Sequence, residues 1–283
     1  PLVNRAISGN LYPPGPVFKL VTAAAALESG DYEPDTEVDG PAKLTFPGQT
    51  YTLPNDFSGA CSPNGKITLI DALKISCNTA FGSVGMAVGE SAMLEQTAKF
   101  GFGEKLGIPL TVTPSVFPAG LGQSQLAQSS IGQFEVRVSP LQIAMVSSAI
   151  ANDGVLMKPQ LVSRVLAPDL TVMSRPSAEE LGRAVSRGTA AKLTTMMQAV
   201  VGPGGTGTRA RIDGIEVAGK TGTAEQGEGR PPNAWFTAFA PVEDPQVAIA
   251  VVVEDGGALG DAASGGRVAA PIAKKVMEAV ISQ

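Results

Sequence analysis

Near the C-terminal end, three β-rich runs follow one another, Ile215 to Ala224, Ala234 to Ala240 and Val247 to Glu254, each divided from the next by turn signals. Strands in this spacing suit an antiparallel meander. The segment before them is mostly helix-patterned, and Val268 to Ile281 after them reads as one closing amphipathic helix. Helices, then strands, then a helix is the order of an α+β fold. It implies an antiparallel sheet flanked by helices, with a mainly helical part over residues 67–210.

Local signals fill in that outline. Residues 1–16 are rich in Pro and Gly and read as a loop, after which Val17 to Glu28 reads as a buried, Ala-rich helix stopped by Gly30. Residues 31–66 carry turn residues with short apolar runs such as Ala42 to Phe46, so loops and minor strands are expected. Thr68 with Asp71 makes a capping-box-like start for a helix to Lys74. Further helices are expected near Thr79 to Val88 and from Ser91 to Phe100, the latter closed by Gly101. Residues 102–130 read as loop, broken by Gly107, Pro109, Pro114 and Gly120. Ser139-Pro140 opens a long apolar helix through Asn152. Gly154 to Leu166 reads as a hairpin or an irregular crossover, and Ala178 to Val185 is too short and mixed to assign. Thr189 to Val201 is helical, followed by a flexible Gly-rich run to Gly207.

Composition narrows the chemistry. With 283 residues, 43% of them hydrophobic, the chain can bury one large core or two smaller ones. A formal charge of −5, with no basic cluster, argues against nucleic acid as a partner. There is no histidine. That excludes Ser-His-Asp and Cys-His mechanisms and His-ligated metals, and leaves proton transfer to Lys, Asp, Glu, Tyr, Cys or a terminus. No metal or cofactor is called for. The two cysteines, Cys61 and Cys77, can form one disulfide if the protein is exported, or stay as two buried free thiols. No apolar run reaches the roughly 18–20 residues of a membrane span. The chain starts at Pro1 without a methionine, so it is expected to be part of a longer protein.

Three segments carry the functional signal: Tyr12-Pro13-Pro14-Gly15-Pro16-Val17-Phe18-Lys19, Ser76-Cys77-Asn78, and Gly219-Lys220-Thr221-Gly222-Thr223-Ala224-Glu225. Each is weak alone. In this order and separation they resemble the three-motif set of the penicillin-recognising acyl-serine enzymes. The resemblance extends over Asn4-Arg5-Ala6, Ser130-Ile131-Gly132-Gln133, Ser139-Pro140-Leu141-Gln142, Ile150 to Gly154, Ala234-Trp235-Phe236 and Gly265 to Ile272. On these residues the chain is similar to the transpeptidase domain of class B penicillin-binding proteins of the actinobacterial PbpA-like type.

The resemblance implies a transpeptidase domain over residues 1–283 whose first two sheet strands lie before residue 1. It implies D,D-transpeptidation at D-Ala-D-Ala stem peptides of peptidoglycan, and a membrane-anchored protein with this domain outside the cytoplasm, working beside division or elongation proteins. That placement fits a Cys61–Cys77 pair. Lys19 takes the place of the base. Ser76 takes that of the proton relay to the leaving amine, and Asn78 that of the residue bonding Lys19 and the substrate amide. Lys220, Thr221, Gly222 and Thr223 take the place of the substrate-binding strand. There Lys220 supplies positive charge near the substrate carboxylate, the hydroxyls of Thr221 and Thr223 face it, Gly222 lets the substrate backbone approach, and the Thr223 N–H is one oxyanion donor. Arg5, Gln133 and Trp235 read as structural.

One position departs from the pattern. Pro16 stands where the family has its attacking serine, and no other Ser-x-x-Lys occurs; Ser62 and Lys66 are one residue too far apart. Proline has no hydroxyl and no backbone N–H, and in the family that N–H is the second oxyanion donor. Loss of one such donor costs roughly 10²–10³ in rate, before the missing nucleophile is counted. The first turn of a helix accepts proline readily. The expected outcome is a folded domain without acyl-serine activity at residue 16, and β-lactams as ligands only if a serine is present there. The alternative is a pseudoenzyme that binds peptidoglycan peptides or acts as a scaffold. A β-lactamase or β-lactam sensor fits the long connecting segment and the Tyr12 to Gly15 turn less well.

Overall fold

The computed structural model describes residues 3–227 and 229–282. The chain opens with a one-turn 3₁₀ helix, Gly15–Phe18, that runs into helix α1, Lys19–Ser29. Four short strands follow: β1 (Glu37–Asp39), β2 (Lys43–Thr45), β3 (Thr52–Pro54) and β4 (Lys66–Thr68). Then come helices α2 (Leu69–Lys74), α3 (Asn78–Val88), α4 (Glu90–Lys99), α5 (Gln123–Ser130) and α6 (Pro140–Ala151). Strands β5 (Val155–Met157), β6 (Val165–Leu166), β7 (Val172–Ser174) and β8 (Glu180–Arg183) precede α7 (Arg187–Val201). The principal sheet is β9 (Ala218–Ala224), β10 (Asn233–Ala240) and β11 (Val247–Val253), and α8 (Ala270–Ile281) closes the chain.

The principal sheet is an antiparallel meander in the order β11-β10-β9, with Trp235 opposite Gly222 and Val252. β10 is buried along its whole length because both faces are covered. Side chains alternate across a strand. So Trp235 and Phe239 join the main helical core, while Phe236, Ala238 and Ala240 pack with Met277 of α8. Thr237, on the inner face, meets Ser147 of α6 through their hydroxyls at 2.6 Å. β11 is half-buried throughout, and among the described residues no strand pairs with its outer edge.

Helix α1 lies at the centre. Its four alanines and Leu20, Val21 and Leu27 are buried, since small side chains let α3, α4 and α7 close around it. Burying Leu20, Val21 and Leu27 contributes about 1.5–3 kcal/mol each. Sequence signals fare well where a cap marks the boundary. Thr68 Oγ1 accepts from Asp71 N at 3.3 Å, and Ser139 Oγ accepts from Gln142 N at 3.1 Å.

The expectation of loop over residues 102–130 is corrected: α5 occupies the last eight of them. It starts where the Gly122 N–H donates to Gln125 Oε1 at 2.9 Å. Its apolar face is only Leu126 and Ala127, supplemented by buried serines at 124, 129 and 130. Such a face leaves no hydrophobic period to read. The unassigned stretch from Ala178 contains β8, which pairs with β5, while β6 and β7 form a hairpin nested between them.

Candidate active site

Pro16 is the second residue of the Gly15–Phe18 turn and is buried. Its carbonyl accepts from the Lys19 N–H, and in this first turn a backbone N–H has no partner within the helix, so proline removes no helical hydrogen bond. The turn is held from two sides. The Gly15 N–H donates to Gly132 O at 2.9 Å, and the Trp235 Nε1–H donates to Pro13 O at 3.1 Å. Trp235 is fully buried and stacks edge-on against Tyr12. The Tyr12 hydroxyl donates to Glu254, which also pairs with Arg5.

Ser76, Cys77 and Asn78 form the junction between α2 and α3. The Ser76 N–H donates to Leu73 O at 3.1 Å and the Cys77 N–H to Ala72 O at 2.8 Å. These bonds wind the chain so tightly that Ser76 takes φ +63°. A non-glycine residue there costs on the order of 1–2 kcal/mol. The junction is anchored by a disulfide between Cys61 and Cys77, with Cα atoms 6.0 Å apart. Buried Asn55 anchors it again: its Oδ1 accepts from the N–H groups of Asn78 and Thr79 at 3.0 and 3.1 Å.

These elements bring two lysines to one hydroxyl. Lys19 Nζ lies 2.7 Å from Ser76 O, 3.2 Å from Ser76 Oγ and 2.7 Å from Asn78 Oδ1. Lys220 Nζ lies 3.0 Å from Ser76 Oγ and 2.8 Å from Thr221 O. Both lysines are wholly buried. Burial pulls the Lys19 ammonium from its ordinary 10.5 down to about 7, with the Asp56 carboxylate opposing. Lys220 is pushed well below the same value, by burial first and by repulsion from Lys19 second. The Asp56 carboxylate accepts from Asn78 Nδ2 at 2.8 Å, which turns Oδ1 of that amide toward Lys19.

Strand β9 supplies Lys220 to Thr223. The Lys220 amine faces Ser76 and the Thr221 carbonyl. The bare face of Gly222 is occupied by the protein itself. A Cβ there would sit 3.1 Å from Val17 N and 3.2 Å from Pro14 O. Glycine is required because β9 lies directly against the Pro14–Val17 turn. Thr221 Oγ1 meets Thr206 Oγ1 at 2.6 Å, and Thr223 Oγ1 accepts from the Gly265 N–H at 3.4 Å.

A hollow of about 820 Å³ has Pro16, Tyr51, Asp56, Asn78, Gln133 and Thr223 among its walls, so it borders the cluster at Asn78 and at the turn of Pro16. A larger hollow of about 1130 Å³, beside Arg5, Tyr12 and Glu254, does not reach Pro16, Asn78 or Thr223. The smaller one is therefore the hollow that Pro16, Asn78 and Thr223 share. Sequence reasoning placed Pro16, Lys19, Ser76, Asn78 and Lys220 to Thr223, and the structure brings them together. It missed Asn55 and Asp56. Pro54-Asn55-Asp56 reads as an ordinary turn, and no local signal shows an asparagine folded beneath a distant helix start.

A penicillin-recognising acyl-transferase scaffold is the class that this fold and site define. The family described as "Penicillin binding protein transpeptidase domain" matches residues 1–278, and the chain belongs to it. The chain is 42% identical over 289 aligned positions to the peptidoglycan D,D-transpeptidase PbpA of Mycolicibacterium smegmatis, covering 100% of this chain and 57% of that protein. It is 40% identical over 285 positions to PbpA of Mycobacterium tuberculosis, covering 99% and 57%. The ceftriaxone acyl-enzyme complex of penicillin-binding protein A from M. tuberculosis matches with a TM-score of 0.93 at 38% identity, covering 99% of this chain and 63% of that one. Its penicillin G acyl-enzyme complex matches with a TM-score of 0.88 at 36% identity, with the same coverage. The chain thus spans less than two thirds of the length of these relatives.

Proposed function

We propose that this chain is the transpeptidase domain of a peptidoglycan D,D-transpeptidase that recognises D-Ala-D-Ala stem peptides but forms no acyl-enzyme at residue 16. The observation that carries this reading is the hydrogen-bonded cluster of Lys19, Ser76, Asn78 and Lys220, whose Asn78 shares a hollow with Pro16, where a hydroxyl would be needed.

The roles follow from the geometry. A serine at residue 16 would stand one turn before Lys19, whose lowered pKa lets it take a proton near neutral pH. Asn78 holds that amine in place, and Asp56 holds Asn78. Ser76 can relay a proton toward a leaving amine, with Lys220 beside it. The backbone N–H groups of residues 16 and 223 would bind the oxyanion, and proline removes the first. The disulfide supports an extracytoplasmic domain. On this reading the whole protein is anchored in the membrane, acts in cell-wall synthesis and works beside division or elongation proteins.

A second reading, a scaffold without turnover, is favoured by how well Pro16 suits its turn. The distinguishing experiment is Pro16→Ser with a fluorescent penicillin. Covalent labelling of the variant at residue 16 supports the first reading. A folded variant that takes no label leaves only the scaffold.

A further inference from the structure

We propose that Ser76 is a residual nucleophile in this chain, its hydroxyl held between Lys19 and Lys220 and able to accept an acyl group from a donor seated beside Pro16. The inference rests on reading that hollow as a penicillin-recognising site, and it goes beyond it by placing the acyl group on a different residue.

Hydrogen-bond accounting carries the case. An ammonium has three donors, and Lys19 Nζ has three acceptors, Ser76 O, Ser76 Oγ and Asn78 Oδ1. Lys220 Nζ has two partners, Thr221 O and Ser76 Oγ. If both amines donated to Ser76 Oγ, the hydrogen of that hydroxyl would have no acceptor among the described residues. The conflict disappears when one amine is neutral, and Lys220, with two partners to the three acceptors of Lys19, is the one that can give up a donor. Its lone pair then takes the Ser76 O–H, while the Lys19 ammonium donates to the same oxygen. A base on one side and a cation on the other is the arrangement that activates a hydroxyl. The strong downward push on Lys220, by burial first and by Lys19 second, agrees with this assignment.

Position supports it as well. Ser76 is half-buried and held at φ +63°, a backbone strain of the kind that clusters at functional sites. Its neighbour Asn78 lines the hollow with Pro16 and Thr223. The two hydroxyls on β9 are engaged elsewhere, Thr221 with Thr206 and Thr223 with the Gly265 N–H.

With a β-lactam the step balances without a further reactant. The Ser76 hydroxyl proton passes to Lys220 Nζ, and Oγ bonds to the lactam carbonyl carbon. The ring C–N bond breaks, and the ring nitrogen takes the proton back from Lys220. The whole β-lactam is added to Ser76, and Lys220 returns to its neutral form. Without an N–H at residue 16 the step should run about 10²–10³ slower than acylation at residue 16 of the Pro16→Ser variant.

The test is penicillin G on the natural chain, read by intact mass and peptide mapping. The expected result is one penicillin on the peptide containing Ser76, absent in Ser76→Gly and slowed more than tenfold in Lys220→Met. Glycine suits φ +63°, so Ser76→Gly should keep the fold, and a thermal melt checks that it does. If the natural chain takes no adduct, or takes it elsewhere, while Pro16→Ser is labelled at residue 16, the Ser76 inference is overturned and the preceding reading stands. If neither folded protein is labelled, both fall.

Discussion

Gly132→Ala should unlock the turn that carries position 16. Gly132 has φ +76°, so alanine costs about 1–2 kcal/mol in backbone strain alone. Its Cβ would lie 2.2 Å from Gly15 O and 2.7 Å from Phe18 Cβ, and both atoms belong to the turn. Relieving that overlap costs about 1–3 kcal/mol. Moving the turn also breaks the bond from the Gly15 N–H to Gly132 O, about 1 kcal/mol more. The combined loss is about 3–6 kcal/mol, which for a domain of this size lowers Tm on the order of 10 °C. The assay is a circular-dichroism melt beside Gly188→Ala, where the new Cβ meets only Ser186 Oγ at 3.9 Å and little change is expected. In the Pro16→Ser background, Gly132→Ala should also slow penicillin labelling more than tenfold. A Gly132→Ala melt within about 2 °C of the natural chain would refute the claim that this contact holds the turn.

Two further outcomes follow from the site. Replacing Cys61 and Cys77 together by serine opens a loop with a sequence separation of 16 and should cost about 3 kcal/mol in a denaturant titration, whereas a change under 1 kcal/mol would show that the junction is held without the disulfide. The Lys19 titration sets the second. Its pKa is about 7 when folded and 10.5 ordinarily, so the unfolded chain binds the proton that the folded chain releases. The resulting destabilisation is full below about pH 7, shrinks as pH rises from 7 to 10.5, and is gone above that. Between pH 7 and pH 9 the domain should gain about 2 kcal/mol from this group, at about 1.4 kcal/mol per pH unit. Lys19→Met should lose that gain in denaturant titrations at the two pH values, and an unchanged pH response would contradict the assignment.

Much of the candidate site was legible in the sequence because its residues sit in contiguous motifs at element boundaries. Lys19 at a helix start, Ser76 and Asn78 at a helix junction, and Lys220 to Thr223 on a strand are each marked by local composition. Four features were not legible, for physical reasons. α5 hides its buried face in serines, so it shows no hydrophobic period. Asn55 and Asp56 act through partners more than twenty residues away, and a turn-forming asparagine looks the same whether it faces water or caps a helix. The close seat of Gly222 against the Pro14–Val17 turn is a contact that only the folded chain creates. The pairing of Cys61 with Cys77 likewise needed the 6.0 Å between their Cα atoms, which spacing along the chain does not provide.

The central claim is that this is a penicillin-recognising scaffold whose chemistry at residue 16 is blocked by one side chain. Its most direct test is the rate and position of covalent labelling by penicillin in Pro16→Ser compared with the natural chain. The expected result is labelling mapped to residue 16 in the variant, at least about 100-fold faster than any adduct on the natural chain. A correctly folded Pro16→Ser protein that takes no penicillin at residue 16 would contradict it.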